Sequence, residues 1–214
     1  IMSTLEGLFP GRMDIGLGNS PGTPLVGRNL QSLYSKEQYA LWLEKLQHYL
    51  SEARHKGVVV PEVATVPEQF LLGMGGQSIE SAATLGLSFV YGVFPYIPQD
   101  PVELSKSLSE KYRTTFKPGP HSKPSNFVLA VFVVIADTSE EAEEMAKPLD
   151  LWMLGKQDFS EFHTFPTQKD VEEYEFTQRD REKIASNRSR LIVGNPREVY
   201  EQMEALRAVS NPDE

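Results

Sequence analysis

A glycine-rich turn in the middle of the sequence has the residue types of a phosphate-binding site. The turn consists of the consecutive residues Gly73, Met74, Gly75, Gly76, Gln77 and Ser78. An apolar run precedes it, and a helix rich in small residues is predicted from Ile79. Glycines let the main chain approach an anion, and the unpaired N–H groups of a helix N-terminus favour negative charge. The turn therefore predicts a phosphate site, with hydrogen bonds to the phosphate of about 1.5–3 kcal/mol each.

Two other interpretations of this turn stay open. It is also what an ordinary connection between a strand and a helix looks like when no ligand is bound. A dinucleotide-binding fingerprint is the weaker alternative, because only Gly73 and Gly75 match its first two glycines. Ser78 stands where the third glycine is required, and no following strand ends in an acidic residue at the expected distance.

The other residue types that carry catalysis form no recognisable pattern. The chain has no cysteine, which excludes disulfides, thiolate nucleophiles and cysteine-based zinc sites. His48, His55, His121 and His163 are not spaced as metal ligands and are predicted to lie at the surface. No acidic metal cluster and no Ser/His/Asp arrangement stands out. The sequence therefore predicts no metal and identifies no catalytic residue.

Three aromatic residues, Tyr91, Phe94 and Tyr96, cluster where a predicted strand ends. In a barrel of parallel strands the active site lies at the carboxyl ends of the strands. These rings therefore either line an apolar pocket at that edge or pack into the core, and the sequence favours neither interpretation.

Composition restricts the class of partner. The 214 residues carry 21 basic and 30 acidic side chains, a formal net charge of −9. An acidic surface repels phosphate backbones, so nucleic acid and anionic membranes are poor candidates for partners. No apolar run approaches the length of a membrane span, and the start of the chain does not resemble a signal peptide. With the absence of cysteine, these features favour a cytoplasmic protein.

The alternation of apolar runs and helical stretches predicts an α/β fold with a mainly parallel sheet. Strands are predicted at 13–18, 70–73, 89–93 and 127–136. The last of them is nearly all apolar, which is typical of a strand buried on both faces. Helices are predicted at 1–9, 35–55, 79–87, 101–116, from 137 onward and at 197–209. An irregular charged segment is predicted between 155 and 190, and a short apolar run at 191–196 precedes the last helix.

Four blocks of sequence, in this order, resemble the bacterial-luciferase-like family of flavin-dependent oxidoreductases: Leu5–Gly18, Leu71–Leu87, Val133–Ala142 and Val193–Val199. The family has a TIM (β/α)8 barrel, and the first two blocks resemble its passages into the fourth strand and from the fifth strand into the fifth helix. The resemblance implies a single partial barrel domain over residues 1–214, with about strands 4–7 present and strands 1–3 and 8 absent. A half barrel exposes sheet edges, so poor solubility of this segment alone is expected.

The resemblance also implies a set of cofactor contacts. In the family the turn holds the phosphate of flavin mononucleotide (FMN). The matching groups are the main-chain amides of Met74 and Gly75, the adjoining Gly76, and the hydroxyl of Ser78. Many relatives have an arginine where this chain has Asn19. An asparagine is a neutral donor, so it either contacts the phosphate more weakly or only serves its own turn.

The function implied is a monooxygenase that uses reduced FMN and molecular oxygen on a small organic substrate. A separate flavin reductase and a homo-oligomeric state are the expected partners. Two alternatives stay open: an oxidoreductase that uses the deazaflavin F420, and a relative that binds flavin without catalysis or is inactive as a fragment.

Overall fold

A computed structural model describes residues 1–18, 36–51, 63, 65–94, 100–119, 124–155 and 164–214. The helices are α1 Met2–Leu8, α2 Lys36–Ser51, α3 Gly76–Leu85, α4 Pro101–Thr115, α5 Ser139–Gly155, α6 Gln168–Glu173, α7 Gln178–Arg188 and α8 Pro196–Ser210. The strands are β1 Asp14–Leu17, β2 Glu68–Gly73, β3 Ser88–Val93, β4 Phe127–Val131, β5 Val133–Ile135 and β6 Ile192–Gly194.

The first four strands form one sheet in the order β1-β2-β3-β4. Strand β1 pairs with β2 and β2 pairs with β3, both in parallel, with Leu17 opposite Leu71 and Gly73 opposite Tyr91. Consecutive parallel neighbours require a crossover between them, and here helices α2 and α3 lie in those crossovers. The predicted α/β class and the parallel sheet are confirmed. Membership of a partial barrel stays a prediction.

The described part of the chain forms two compact units. The first consists of Ile1–Tyr91, Leu108–Leu129 and Pro212–Glu214, and the second of Gly92–Ser107 and Ala130–Asn211.

One face of the sheet carries the core of the first unit. Residues that lie in register on this face are buried, among them Leu71, Phe89 and Tyr91, each with no exposed surface. The ring of Tyr112 on α4 packs 6.2 Å from that of Phe89, and its hydroxyl donates to the carbonyl of Leu87 at 2.7 Å. On the opposite face Leu72 is 40% exposed. The two faces of β2 are therefore covered to different degrees.

Asp213 and Glu214 pair with the edge of β4. The amide of Asp213 donates to the carbonyl of Phe127 at 2.8 Å, and the carbonyl of Glu214 accepts from the amide of Leu129 at 2.9 Å. The Asp213 carboxylate also accepts from the Phe127 amide at 2.8 Å and from the Arg113 guanidinium at 2.9 Å. A segment distant in sequence thereby satisfies main-chain groups of an edge strand.

A buried carboxylate joins α1 to later parts of the first unit. Glu6 is 1% exposed, and its Oε1 accepts hydrogen bonds from the Gly11 amide at 2.8 Å and from the Thr65 hydroxyl. The Thr65 hydrogen bond, and after it the one from Gly11, lowers the pKa of Glu6. Helix α1 ends at Leu8, before Pro10, as the sequence predicts.

The predicted strand 127–136 is wrong as a single element. It is interrupted at Phe132, so that β4 belongs to the first sheet and β5 pairs in parallel with β6 in a second sheet. The carbonyl of Phe132 accepts from the amide of Ile192 at 3.0 Å. Burial on both faces is also wrong, because Val133 and Ile135 are 41% and 48% exposed.

The segment predicted as irregular contains two helices, α6 and α7, so that prediction is wrong for these residues. Each begins with a capping box, in which a threonine hydroxyl accepts from an amide and an aspartate accepts from the threonine amide. The pairs are Thr167 with Asp170 and Thr177 with Asp180. These side chains satisfy donors that a short helix otherwise leaves unpaired.

The core of the second unit is apolar and has an ion pair at its side. Leu149, Met153 and Leu191 are buried there, with Phe132, Val134, Trp152 and Val193 packed against them. Arg188 on α7 contacts Asp150 at 2.8 Å and Glu143 at 3.1 Å, both on α5. Burial raises the pKa of Asp150, although Arg188 opposes that effect.

Candidate functional site

The candidate site is the turn that joins β2 to α3. The strand ends at Gly73, and Gly75 is the N-cap of α3 with an extended backbone (φ −159°, ψ 175°). Glycine has no side chain, so no cap hydrogen bond is made there. The amide of Ile79 donates to the carbonyl of Gly75 at 3.4 Å. The three preceding amides, those of the first turn of α3, have no acceptor within the helix and point toward its N-terminal end.

The lack of a side chain at Gly73 is required by packing. A Cβ there would lie 2.4 Å from Cβ and 2.7 Å from Oγ of Ser78, and 3.2 Å from the ring of Phe89. Ser78 therefore sits directly over the end of β2, which fixes the first turn of α3 against the strand. Gly75 and Gly76 are more open, since a Cβ on Gly75 would meet no atom within 4 Å.

The electrostatics at this helix end favour an anion. The first turn of α3 carries no acidic residue. One turn later, Glu80 forms an ion pair with Lys111 of α4. The Lys111 ammonium lies 4.0 Å from the position that a Cβ on Gly76 would take. The helix dipole favours an anion at this end, and the ammonium, although paired with Glu80, lies beside it.

The predicted cofactor contacts can be located only in part. Met74 is 44% exposed, Gly76 is exposed, and Gly75 and Ser78 are half-buried at the turn. The amides at the open end of α3 are those of Gly76, Gln77 and Ser78, whereas the sequence pointed to those of Met74 and Gly75. Asn19 lies outside the described residues, and so does Arg28, which is close enough in sequence to replace the missing arginine. The contacts themselves stay predictions.

Lys111 was not identified from sequence. It comes from the next helix along the chain, and only the packing of α4 beside α3 brings its ammonium to Gly76. The one signal available was its place on a helix that follows a predicted strand, which many surface lysines share.

The structure describes two of the three aromatic residues, Tyr91 and Phe94. Tyr91 has no exposed surface and lies on the same face of β3 as Phe89, so it packs in the core. In the second unit, the ring of Phe94 contacts that of Phe132 at 5.5 Å, and it covers the Cα of Gly92. Tyr96 lies outside the described residues.

Few other candidate catalytic or metal-binding side chains lie within the part of the chain that the structure describes. His48 is exposed on α2, as predicted, and the other histidines lie outside that part. Within it, no group of three or more histidine, aspartate or glutamate side chains is placed to hold a metal ion. Nor is any of its helices both long and apolar enough to cross a bilayer.

Comparison with known proteins identifies the family. The family model described as luciferase-like monooxygenase matches residues 2–210. YceB of Bacillus subtilis is 31% identical over 210 residues, which are 93% of this chain and 61% of YceB. The N-acetyl-S-alkylcysteine monooxygenase of the same organism is 35% identical over 149 residues, 65% of this chain and 43% of that protein.

A solved structure shares the fold. The crystal structure of apo-MsnO8 matches with a TM-score of 0.78 at 24% identity and covers 99% of this chain and 64% of MsnO8. The chain thus spans less than two thirds of the length of these relatives. The match with the family model extends over the parallel sheet, the glycine turn and the final helix, and the chain belongs to the luciferase-like monooxygenase family.

Proposed function

We propose that the protein is a flavin-dependent monooxygenase that binds reduced FMN through the turn between β2 and α3 and uses molecular oxygen to oxidise a small organic substrate. The observation that carries the proposal is the open N-terminus of α3 at the end of a parallel strand, where no side chain caps the helix and the Lys111 ammonium lies close to Gly76. Family membership supports the oxidoreductase class.

The residues present fit a phosphate at this turn. Gly75 leaves the helix end uncovered, Gly76 and Gln77 offer main-chain amides, and Ser78 offers an amide and a hydroxyl close to the strand. Three hydrogen bonds to a charged phosphate, at about 1.5–3 kcal/mol each, approach the roughly 8 kcal/mol of micromolar binding before ordering costs. The bound flavin would supply the redox chemistry, and the protein would position it and exclude water.

The wider parts of the proposal are the partial barrel, the partners and the substrate. The order β1-β2-β3-β4, with β1, β2 and β3 parallel, is what strands 4–7 of a (β/α)8 barrel require. Active sites of such barrels lie at the carboxyl ends of the strands. A separate flavin reductase, a homo-oligomeric state and a cytoplasmic location belong to the same proposal. Because one relative is named an N-acetyl-S-alkylcysteine monooxygenase, N-acetylated S-alkylcysteines are the first substrates to test.

The experiment that tests the cofactor site compares FMN with riboflavin, which differs only by the phosphate. We expect FMN to bind at least about tenfold more tightly in a fluorescence titration, a difference of about 1.4 kcal/mol. Equal affinities would overturn the proposal and leave an ordinary glycine turn. F420, titrated in parallel, tests the deazaflavin alternative. FMN binding without oxygen consumption, with reductase and substrates supplied, would favour a non-catalytic relative.

Ser78→Ala tests one contact within this site. The substitution removes a single hydroxyl donor and should weaken FMN binding by about 1–2 kcal/mol, roughly five- to thirtyfold. Riboflavin binding should not change. Gln77→Ala is the matched control, because its side chain is exposed and its amide remains. If the substitution weakens the binding of FMN and of riboflavin equally, Ser78 acts on the fold of the turn and not on the phosphate.

A further inference from the structure

Lys111 and Glu80 form an exposed ion pair beside the first turn of α3. The side chain of Lys111 is 42% exposed and that of Glu80 is 60% exposed. Glu80 lies one helical turn after Gly76, and the ammonium of Lys111 reaches back over that turn to within 4.0 Å of the Cβ position of Gly76. The Lys111 ammonium therefore lies between the Glu80 carboxylate and the N-terminal end of α3.

We propose that Lys111 is the cation that recognises the cofactor phosphate. Glu80 holds the lysine ammonium until the phosphate takes the place of the Glu80 carboxylate. This inference rests on the proposed function, because it assigns a specificity-determining residue to the same site. In many relatives that role is expected of an arginine at the position of Asn19. The geometry assigns it here to a residue from the neighbouring helix.

Exchange of the Glu80 carboxylate for a phosphate costs Lys111 little free energy. Exposed ion pairs contribute little to stability, so leaving Glu80 costs Lys111 little. A phosphate carries more charge than a carboxylate, and at the end of α3 it also accepts from main-chain amides and meets the helix dipole. A lysine ammonium is a point charge on a flexible stem, which lets it follow the phosphate without a fixed two-point geometry.

Two nearby cations of the first unit, Arg113 and Lys117, are not placed at the turn. Arg113 is bound to Asp213. The amide of Lys117 donates to the carbonyl of Ala83, so Lys117 lies near the C-terminal end of α3, away from the turn. Lys117 is exposed and carries the same charge as Lys111, and it therefore provides a matched control.

The test measures FMN and riboflavin affinities for wild type, Lys111→Gln, Lys111→Arg, Glu80→Gln and Lys117→Gln. We expect Lys111→Gln to weaken FMN binding about three- to thirtyfold and riboflavin binding less than about twofold. Lys111→Arg should keep most of the preference for FMN. Glu80→Gln should tighten FMN binding, because the competing carboxylate is gone. Lys117→Gln should leave both affinities within about twofold of wild type.

Salt dependence provides a second measurement. Ionic screening weakens an exposed charge contact, so the FMN-to-riboflavin ratio of wild type should fall as salt rises and that of Lys111→Gln should fall less. An unchanged ratio in Lys111→Gln, with FMN still preferred, would overturn the role of Lys111 and leave the phosphate site intact. No preference for FMN in wild type would overturn the proposed function itself. Melting curves show whether a variant is folded, and rescue by Lys111→Arg separates lost charge from lost packing.

Discussion

Only a hydrogen fits on the inner side of residue 73. A Cβ at that position would overlap the side chain of Ser78 at 2.4 Å, and Ser78 is part of the first turn of α3. Because a helical main chain cannot yield as a long side chain can, we expect Gly73→Ala to destabilise the protein by about 1–3 kcal/mol. The displaced turn should also bind FMN less tightly. Thermal unfolding and flavin titration check both effects.

Gly76→Ala is the control for this prediction. A Cβ at Gly76 meets only the Lys111 ammonium at 4.0 Å, an ordinary contact. Alanine is also preferred over glycine within helices by about 1 kcal/mol, so stability should be unchanged or slightly raised. Equal destabilisation by the two substitutions would mean that Ser78 does not press on the end of β2.

At the scale of elements, the hydroxyl of Tyr112 joins α4 to the strands. It donates to the carbonyl of Leu87, just before β3, and accepts from the amide of Asn126, just before β4. Tyr112→Phe leaves both groups without this partner, so we expect a loss of about 1–3 kcal/mol in the free energy of unfolding at neutral pH. Denaturant unfolding measures it, and Tyr49→Phe, at a half-exposed site on α2, should cost little.

The same tyrosine predicts a pH dependence. Burial raises the pKa of Tyr112 from its ordinary 10.0 to about 12. A raised folded-state pKa means that its contribution to stability is complete below about pH 10 and is lost as the pH rises through about 12. The unfolding free energy of wild type should therefore fall more steeply over this interval than that of Tyr112→Phe. Parallel slopes would contradict the assignment.

Most elements could be predicted because their patterns are local. Turn-forming residues mark the end of the strand at 70–73. The helical spacing of apolar residues indicates α2 and α4. Helices α6 and α7 were missed because the segment has no apolar stripe to indicate a packed face. Their threonine–aspartate capping boxes were present in the sequence as Thr-x-x-Asp, which is a usable signal.

The break at Phe132 and the place of Lys111 could not be predicted for a different reason. An apolar run does not show which neighbour each residue will pair with, and β4 and β5 belong to different sheets. Lys111 likewise reaches the turn through the packing of two helices. Tertiary contacts of this kind are not encoded in local spacing. The glycine turn itself was accessible because phosphate chemistry needs residues that are adjacent in sequence.

At the scale of the whole molecule, the first unit depends on residues that are far apart in the chain. Asp213 accepts from the Phe127 amide and from Arg113. We expect Asp213→Ala to lower the free energy of unfolding by about 1–2 kcal/mol and to speed hydrogen exchange at the Phe127 amide. Glu214→Ala is the control, since its carbonyl still accepts from Leu129. Unchanged exchange at Phe127 would show that the Asp213 carboxylate does not protect that amide.

The buried carboxylate of Glu6 makes the stability of the first unit depend on acidic pH. Its pKa is lowered from 4.5, so the stability it provides is present above about that pH and is lost as the pH falls through the lower folded value. Acidification should then release Gly11 and Thr65 from α1 before the apolar core opens. Digestion by an acid-active protease should cut first near residues 7–12, and Glu6→Gln should make that cleavage nearly independent of pH. When an acid-active protease is present, acidic buffer would consequently favour a product cut between α1 and β1 over a uniform preparation.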